Sequence, residues 1–135
     1  MASAAVYQDL NAAQIQTIVA VEDDVLTRMV LADQLRDAGY TVIEASSEYE
    51  ALEVLRHPGV IANLLFSDIG LPGAMDGVSL ARTVRFEFPA IKIILTSGHQ
   101  RPLDWAEHDG FFAKPYDLNS IVDHVRTLIT SHASG

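Results

Sequence analysis

Short apolar, β-branched runs alternate with segments of helical period along the chain, and no other feature narrows the choice of fold as much. Thr17 to Val21 (TIVAV) reads as a strand, after which Leu26, Met29, Val30, Ala32, Leu35 and Ala38 recur at helical spacing. Gly39 stands where a helix C-terminus belongs. Tyr40 to Ile43 (YTVI) then reads as a second strand, followed by a helix from Ser47 to Arg56 that stops at His57-Pro58-Gly59. Ile61 to Ser67 predicts a third strand, Val78 to Phe88 a third helix ending before Pro89, and Ile91 to Thr96 (IKIILT) a fourth strand. Phe111 to Ala113 predicts a very short fifth strand. Leu118, Ile121, Val122, Val125, Leu128 and Ile129 complete the pattern with an amphipathic helix.

Five strands separated by helices require crossover connections, so the expected fold is α/β: a five-stranded parallel sheet, doubly wound, with helices on both faces. A flavodoxin-like strand order, 2-1-3-4-5, makes strands one and three neighbours. In such folds the site lies outside the carboxyl ends of the strands. The residues that close the strands are Glu22, Asp23, Asp68, Thr96 and Lys114.

The 135 residues, 49% of them apolar, suit one domain with a substantial core. We place it at residues 17–130, after an extension at 1–16 that reads as a short helix or tail and before a tail at 131–135. Eighteen acidic against nine basic residues leave a net charge of −9, which lacks the phosphate-neutralising footprint of a nucleic-acid binder. No DNA partner is expected. The absence of cysteine excludes disulfides, thiolate metal sites and cysteine nucleophiles. The start, MASAAVYQDLNAAQIQ, has no basic stretch followed by an apolar core, and no apolar run approaches about 18 residues. No membrane partner and a cytoplasmic location are the expectations.

Three of the five strand-closing residues are carboxylates. In NLLFSDIGLPG an apolar run delivers its end into Asp68, a charge that is costly to desolvate unless a counter-charge lies nearby. Like charges raise one another's pKa unless a cation intervenes. An open set of oxygen ligands suits Mg²⁺, which keeps several waters and is held by one or two carboxylates plus a phosphate. Lys114 would bring an ammonium and Thr96 a hydroxyl to the same rim, both natural partners for phosphoryl oxygens. An aspartate so placed can attack phosphorus and carry an acyl phosphate.

With these residues in view, the chain resembles a receiver domain of two-component response regulators, over roughly residues 17–130. The likeness rests on VEDD at 21–24, SDIGLPGAMDG at 67–77, ILTSG at 94–98 and KPYD at 114–117. It implies Asp68 as phosphoacceptor, Asp23 and Asp68 as metal ligands with Glu22 acting through water, and the backbone carbonyl of Gly70 completing the protein's share of the shell. Thr96 and Lys114 would bind the phosphoryl group, with Thr96 and Phe111 as switch residues. Lys114-Pro115 matches the cis Lys-Pro that such receivers usually show. The implied function is a stand-alone, single-domain response regulator that takes a phosphoryl group from a histidine kinase or histidine phosphotransfer protein and acts through a downstream protein target. The chain would support only its own phosphorylation and dephosphorylation and would not be an enzyme. A phosphate sink or shuttle without its own output is the alternative within the family, and homodimerisation is open. SDIGLPGAMDG and IKIILTSGH look like stretches found beside kinases in alphaproteobacteria.

The chain also departs from the family pattern. Thr96 and Lys114 are 18 residues apart, about four fewer than is common, and GHQRPLDWAEHDG carries Gly98, Pro102 and Gly110, so the fourth helix is expected to be short or irregular. The LPGAMDG loop has one residue more than the commoner form. Asp24 reads as an N-cap and Asp76-Gly77 as a turn leading into a helix. The five histidines lack paired helical spacing and read as solvated, with His99 a weak candidate for modulating the site. A Mg²⁺-dependent aspartyl-phosphate phosphatase of haloacid-dehalogenase type also uses an aspartate nucleophile, but it wants a second acid where Gly70 stands.

Overall fold

A computed structural model describes residues 15–70, 77–98 and 108–129. Five parallel strands form one sheet in the order β2-β1-β3-β4-β5, with β1 at Thr17–Val21, β2 at Thr41–Ala45, β3 at Leu64–Asp68, β4 at Lys92–Ser97 and β5 at Gly110–Ala113. The described helices are α1 (Val25–Asp37), α2 (Glu48–Arg56), α3 (Gly77–Glu87) and α4 (Leu118–Leu128). This is the doubly wound order expected from the alternating pattern. The segment between β4 and β5, where a short or irregular helix is expected, lies largely outside the described residues, as do Asp76, His99, most of the N-terminal extension and the C-terminal tail.

Local chemistry sets the helix ends. Asp24 caps α1, its carboxylate accepting from Thr27 N at 2.9 Å. Ser47 caps α2 through Glu50 N at 3.2 Å, while the Glu50 carboxylate reaches back to Ser46 N at 2.7 Å. Asp117 caps α4. α1 stops at Gly39, whose φ of +105° suits a residue without Cβ. Gly39 N donates to Arg36 O and Tyr40 N to Leu35 O, which satisfies two of the carbonyls a helix end leaves open.

Two cores flank the sheet. On one face Leu31, Ala32 and Leu35 of α1 and Ile121, Val122 and Val125 of α4 pack on Ile18, Ala20, Leu64, Phe66 and Ile94. On the other, Ala51, Leu52 and Leu55 of α2 and Leu80, Ala81 and Val84 of α3 cover Val19, Val21, Leu65, Ile93 and Leu95. The central strands β1, β3 and β4 are therefore buried on both faces, which explains why they read as continuous apolar runs without alternation.

α1 differs from the sequence expectation. Leu26, Met29 and Val30 share its helical spacing yet are 72%, 48% and 54% exposed, and the buried stripe runs through Leu31, Ala32 and Leu35. α1 is apolar on two sides, so periodicity alone could not select the inner one. Strand ends also shift. β3 begins at Leu64 because Asn63 is a tie point: it accepts from Thr17 N at 2.7 Å through its side chain, donates to Thr17 O, and accepts from Lys92 N. Asn63 thereby aligns the starts of β1, β3 and β4, and with equal rise per residue their carboxyl ends come out level.

Candidate functional site

The level carboxyl ends bring the predicted residues together. Asp68 is the last residue of β3 and the register partner of Thr96 on β4, while Lys114 follows β5, its N–H donating to Ser97 O. Glu22 extends the ladder one step past β1, its N–H donating to Ala45 O. Glu22, Asp23 and Asp68 each turn a carboxylate oxygen to one point, all three within 4.8 Å of one another.

The Lys114 ammonium stands between two of these acids, 2.6 Å from Glu22 Oε1 and 3.1 Å from Asp68 Oδ2. The Lys114-Pro115 bond is cis, and the ring of Tyr116 meets Phe66 edge-on at 6.0 Å. Burial pushes the Tyr116 phenol up to about 12, so it stays neutral beside the charged cluster. Burial works against the Lys114 ammonium, but hydrogen bonds to Glu22 and Asp68 overcome it and raise its pKa above the ordinary lysine value. Burial likewise lifts the Glu22 carboxyl above its ordinary range, with Lys114 and the Asp24 N–H holding it back.

Three carboxylates against one ammonium leave an excess of two negative charges at this point. Oxygen-only donors, two buried and one exposed, fit a hard divalent cation that retains waters. Asp68 is fixed from a second side, because Gly70 N donates to its Oδ1 at 3.0 Å. Beside it the Thr96 hydroxyl is buried, 1% exposed for the residue, and has no hydrogen-bond partner among the described residues. A buried hydroxyl in that condition costs free energy unless a ligand completes it.

Phe111 on β5 is half-buried against the core beneath α3. Asp24, expected as a cap, is one. His57 is exposed, in line with a solvated residue, whereas His124 is half-buried and departs from that expectation. His124 sits with Nε2 3.1 Å from Asp109 O and its ring edge-on to Phe112 at 5.7 Å, and His57 Nδ1 accepts from Gly59 N. The His124 ring, midway along α4, meets the residues that lead into β5, a proximity that sequence spacing does not encode.

Sequence reasoning missed Arg28 and Asp109. Arg28 Nη1 donates to the Glu22 carbonyl oxygen at 2.7 Å and Nε to Glu44 Oε1 at 3.2 Å. Asp109 bonds Arg85 Nη2 at 2.9 Å and Ile93 N at 2.8 Å, pinning the start of β5 to α3 and β4. One signal was present: Arg28 follows Asp24 by four residues, one turn into α1, on the side that faces the strand end.

A doubly wound parallel sheet with an acidic cluster, a lysine and a buried threonine hydroxyl at its carboxyl edge is the arrangement that the resemblance to receiver domains implies. The family described as response regulator receiver domain matches residues 18–126, and the chain belongs to that family, which is not a catalytic enzyme family. The sensor kinase CckA of Brucella abortus is 36% identical over 118 residues, covering 84% of this chain and 12% of that kinase. The transcriptional regulatory protein PdtaR of Mycobacterium tuberculosis is 28% identical and 60% covered, so the chain spans only part of these relatives. Among solved structures, the receiver domain of the hybrid histidine kinase CckA matches with TM-score 0.73 at 30% identity, covering 84% of this chain and 99% of that one. A receiver protein of Sinorhizobium medicae matches with TM-score 0.77 at 28% identity, covering 87% and 97%. Receiver domains interact with histidine kinases or phosphotransfer proteins. Among the described residues no helix is long and apolar enough to cross a membrane.

Proposed function

We propose that Asp68 accepts a phosphoryl group from a phosphohistidine of a kinase or phosphotransfer protein, and that the chain signals by a changed protein-binding surface. The observation that carries this reading is the placement of Asp68 between a compensating ammonium, Lys114, at 3.1 Å and a buried hydroxyl, Thr96, without a partner among the described residues. In the transfer an Asp68 carboxylate oxygen forms the new P–O bond as the P–N bond breaks, and the imidazole keeps the electron pair of that bond. Lys114 meets the charge on the transferred oxygens, so the chain contributes mostly position and electrostatics.

Glu22, Asp23, Asp68 and the Gly70 carbonyl would hold Mg²⁺, Glu22 through water. When bound, the ion supplies charge neutralisation at the phosphoryl oxygens. The product acyl phosphate would give Thr96 the acceptor it lacks. That difference in bonding favours one arrangement of the β4 end and of Phe111 over another, which is how a local charge becomes a population shift. Output through a downstream protein, a cytoplasmic setting and the division into a 17–130 domain with flanking tails belong to the same reading.

The test is intact-protein mass after incubation with acetyl phosphate and Mg²⁺. An added mass of about 80 Da in the wild type, absent in Asp68→Asn, is the expected result. An adduct that survives the substitution would remove Asp68 from its role. The adduct's lifetime then separates a persistent signal from a sink or shuttle.

A further inference from the structure

Two arginines of α1 are held in nearly the same way, and only one of them touches the site. Arg28 bonds Glu44 Oε1 at 3.2 Å and a backbone carbonyl, that of Glu22, at 2.7 Å. Arg36 bonds Glu44 Oε2 at 3.2 Å and a backbone carbonyl, that of Val42, at 2.9 Å. The Val42 carbonyl lies within β2. The Glu22 carbonyl belongs to the peptide that joins Glu22 to Asp23, both members of the acidic cluster.

We infer that Arg28 is a positioning residue for the cation site, acting through the Glu22–Asp23 peptide; the inference rests on the metal-binding reading above. Asp23 is solvent-exposed, so packing does little to direct its side chain, and the orientation of its backbone decides where the carboxylate points. β1 has ended at Val21, and among the described residues no ladder bond orients the peptide plane beyond Glu22 N. The guanidinium supplies that restraint from the helix side. Glu44 fixes the guanidinium in turn, and its charge offsets that of Arg28, so the arginine orients the peptide without strongly opposing a cation beside it. Burial of the Arg28 side chain, 16% exposed, keeps water from competing for the carbonyl.

Arg36 provides a matched control. Mn²⁺ binding is measured by loss of the free-ion paramagnetic resonance signal in the wild type, Arg28→Ala, Arg28→Lys and Arg36→Ala, with urea unfolding run on each. Arg28→Ala should weaken binding about tenfold, as loss of outer-sphere partners of metal sites does. Arg36→Ala should stay within about twofold of wild type, since its carbonyl lies away from the cluster and Glu44 Oε1 still holds Arg28 when Arg36 is gone. Arg28→Lys, which keeps the charge and loses the two-pronged geometry, should fall between them and serves if the alanine variant does not fold. Phosphorylation by acetyl phosphate at saturating Mn²⁺ should return to the wild-type rate in the Arg28 variants. Equal losses for Arg28 and Arg36, or no loss for Arg28 in a chain that binds Mn²⁺, overturns the positioning role. A wild type that binds no Mn²⁺ brings down the metal reading itself, and the inference with it.

Discussion

The Lys114 ammonium lies 3.1 Å from Asp68 Oδ2 while also touching Glu22 Oε1, so one cation from the end of β5 neutralises acids from β1 and β3. Removing it leaves buried negative charge uncompensated. Lys114→Met should lose about 1–3 kcal/mol at neutral pH, the cost of stranding a hydrogen-bonded charge. The raised pKa of Lys114 means that its contribution is fully present below the ordinary 10.5 and fades only as pH climbs through the higher folded value. In the variant the Glu22 carboxyl, already lifted by burial, should rise further, so the deficit should shrink on acidification. Urea unfolding of both proteins across pH checks this, and a deficit that does not vary with pH contradicts it.

Thr96→Val should not destabilise the unmodified protein. The hydroxyl is buried without a partner among the described residues, and replacing it by a methyl removes an unmet polar group of similar size. A gain of up to about 1 kcal/mol is expected. The same substitution should blunt the change in hydrogen exchange that beryllofluoride induces in the wild type. Clear destabilisation would mean that the hydroxyl already has a partner.

Asp109 should govern part of the acid limb of stability. Burial opposes its ionisation, but Arg85 and the Ile93 N–H outweigh that, with Lys92 also nearby, and hold the carboxyl below its ordinary value of 3.8. The native state therefore releases this proton more readily than the unfolded chain does. Its stabilisation is present above the ordinary value and disappears as pH falls through the folded one. Asp109→Asn should be less stable near neutrality, and the difference should close below about pH 4. Parallel unfolding curves at several pH values decide it.

Gly110 is committed to lacking a side chain. A Cβ there would lie 2.5 Å from His124 Nε2 and 2.8 Å from Cδ2, displacing the ring from Asp109 O and from Phe112. Gly110→Ala should cost about 1–3 kcal/mol, the usual range for overpacking. In a His124→Ala background the same change should cost much less, and this non-additivity is the readout. Additive losses would point to backbone strain at Gly110 as the cause.

Much of this molecule was legible before any coordinate. The short apolar runs and the period-3.6 segments placed every described element within a few residues, and the rule that sites gather at strand carboxyl ends selected Glu22, Asp23, Asp68, Thr96 and Lys114. Capping by Asp24 and the stop at Gly39 were equally local and equally readable, because each is decided within one helical turn. The inner side of α1 was not. Leu26 and Leu31 are both apolar, and which one is buried depends on how β1 and α4 are packed beneath the helix. Asn63, Arg28, Asp109 and His124 escaped for the same reason. Each is a polar side chain whose partner lies across the fold, such as Asn63 on Thr17 or Asp109 on Arg85, and hydrogen bonds between distant segments leave no periodic trace in the chain. Sequence alone determined which chemical groups stand at the sheet's edge, since strand length and register carry them there. Tertiary structure decided how those groups are held, because the restraints come from residues that only folding brings within bonding distance.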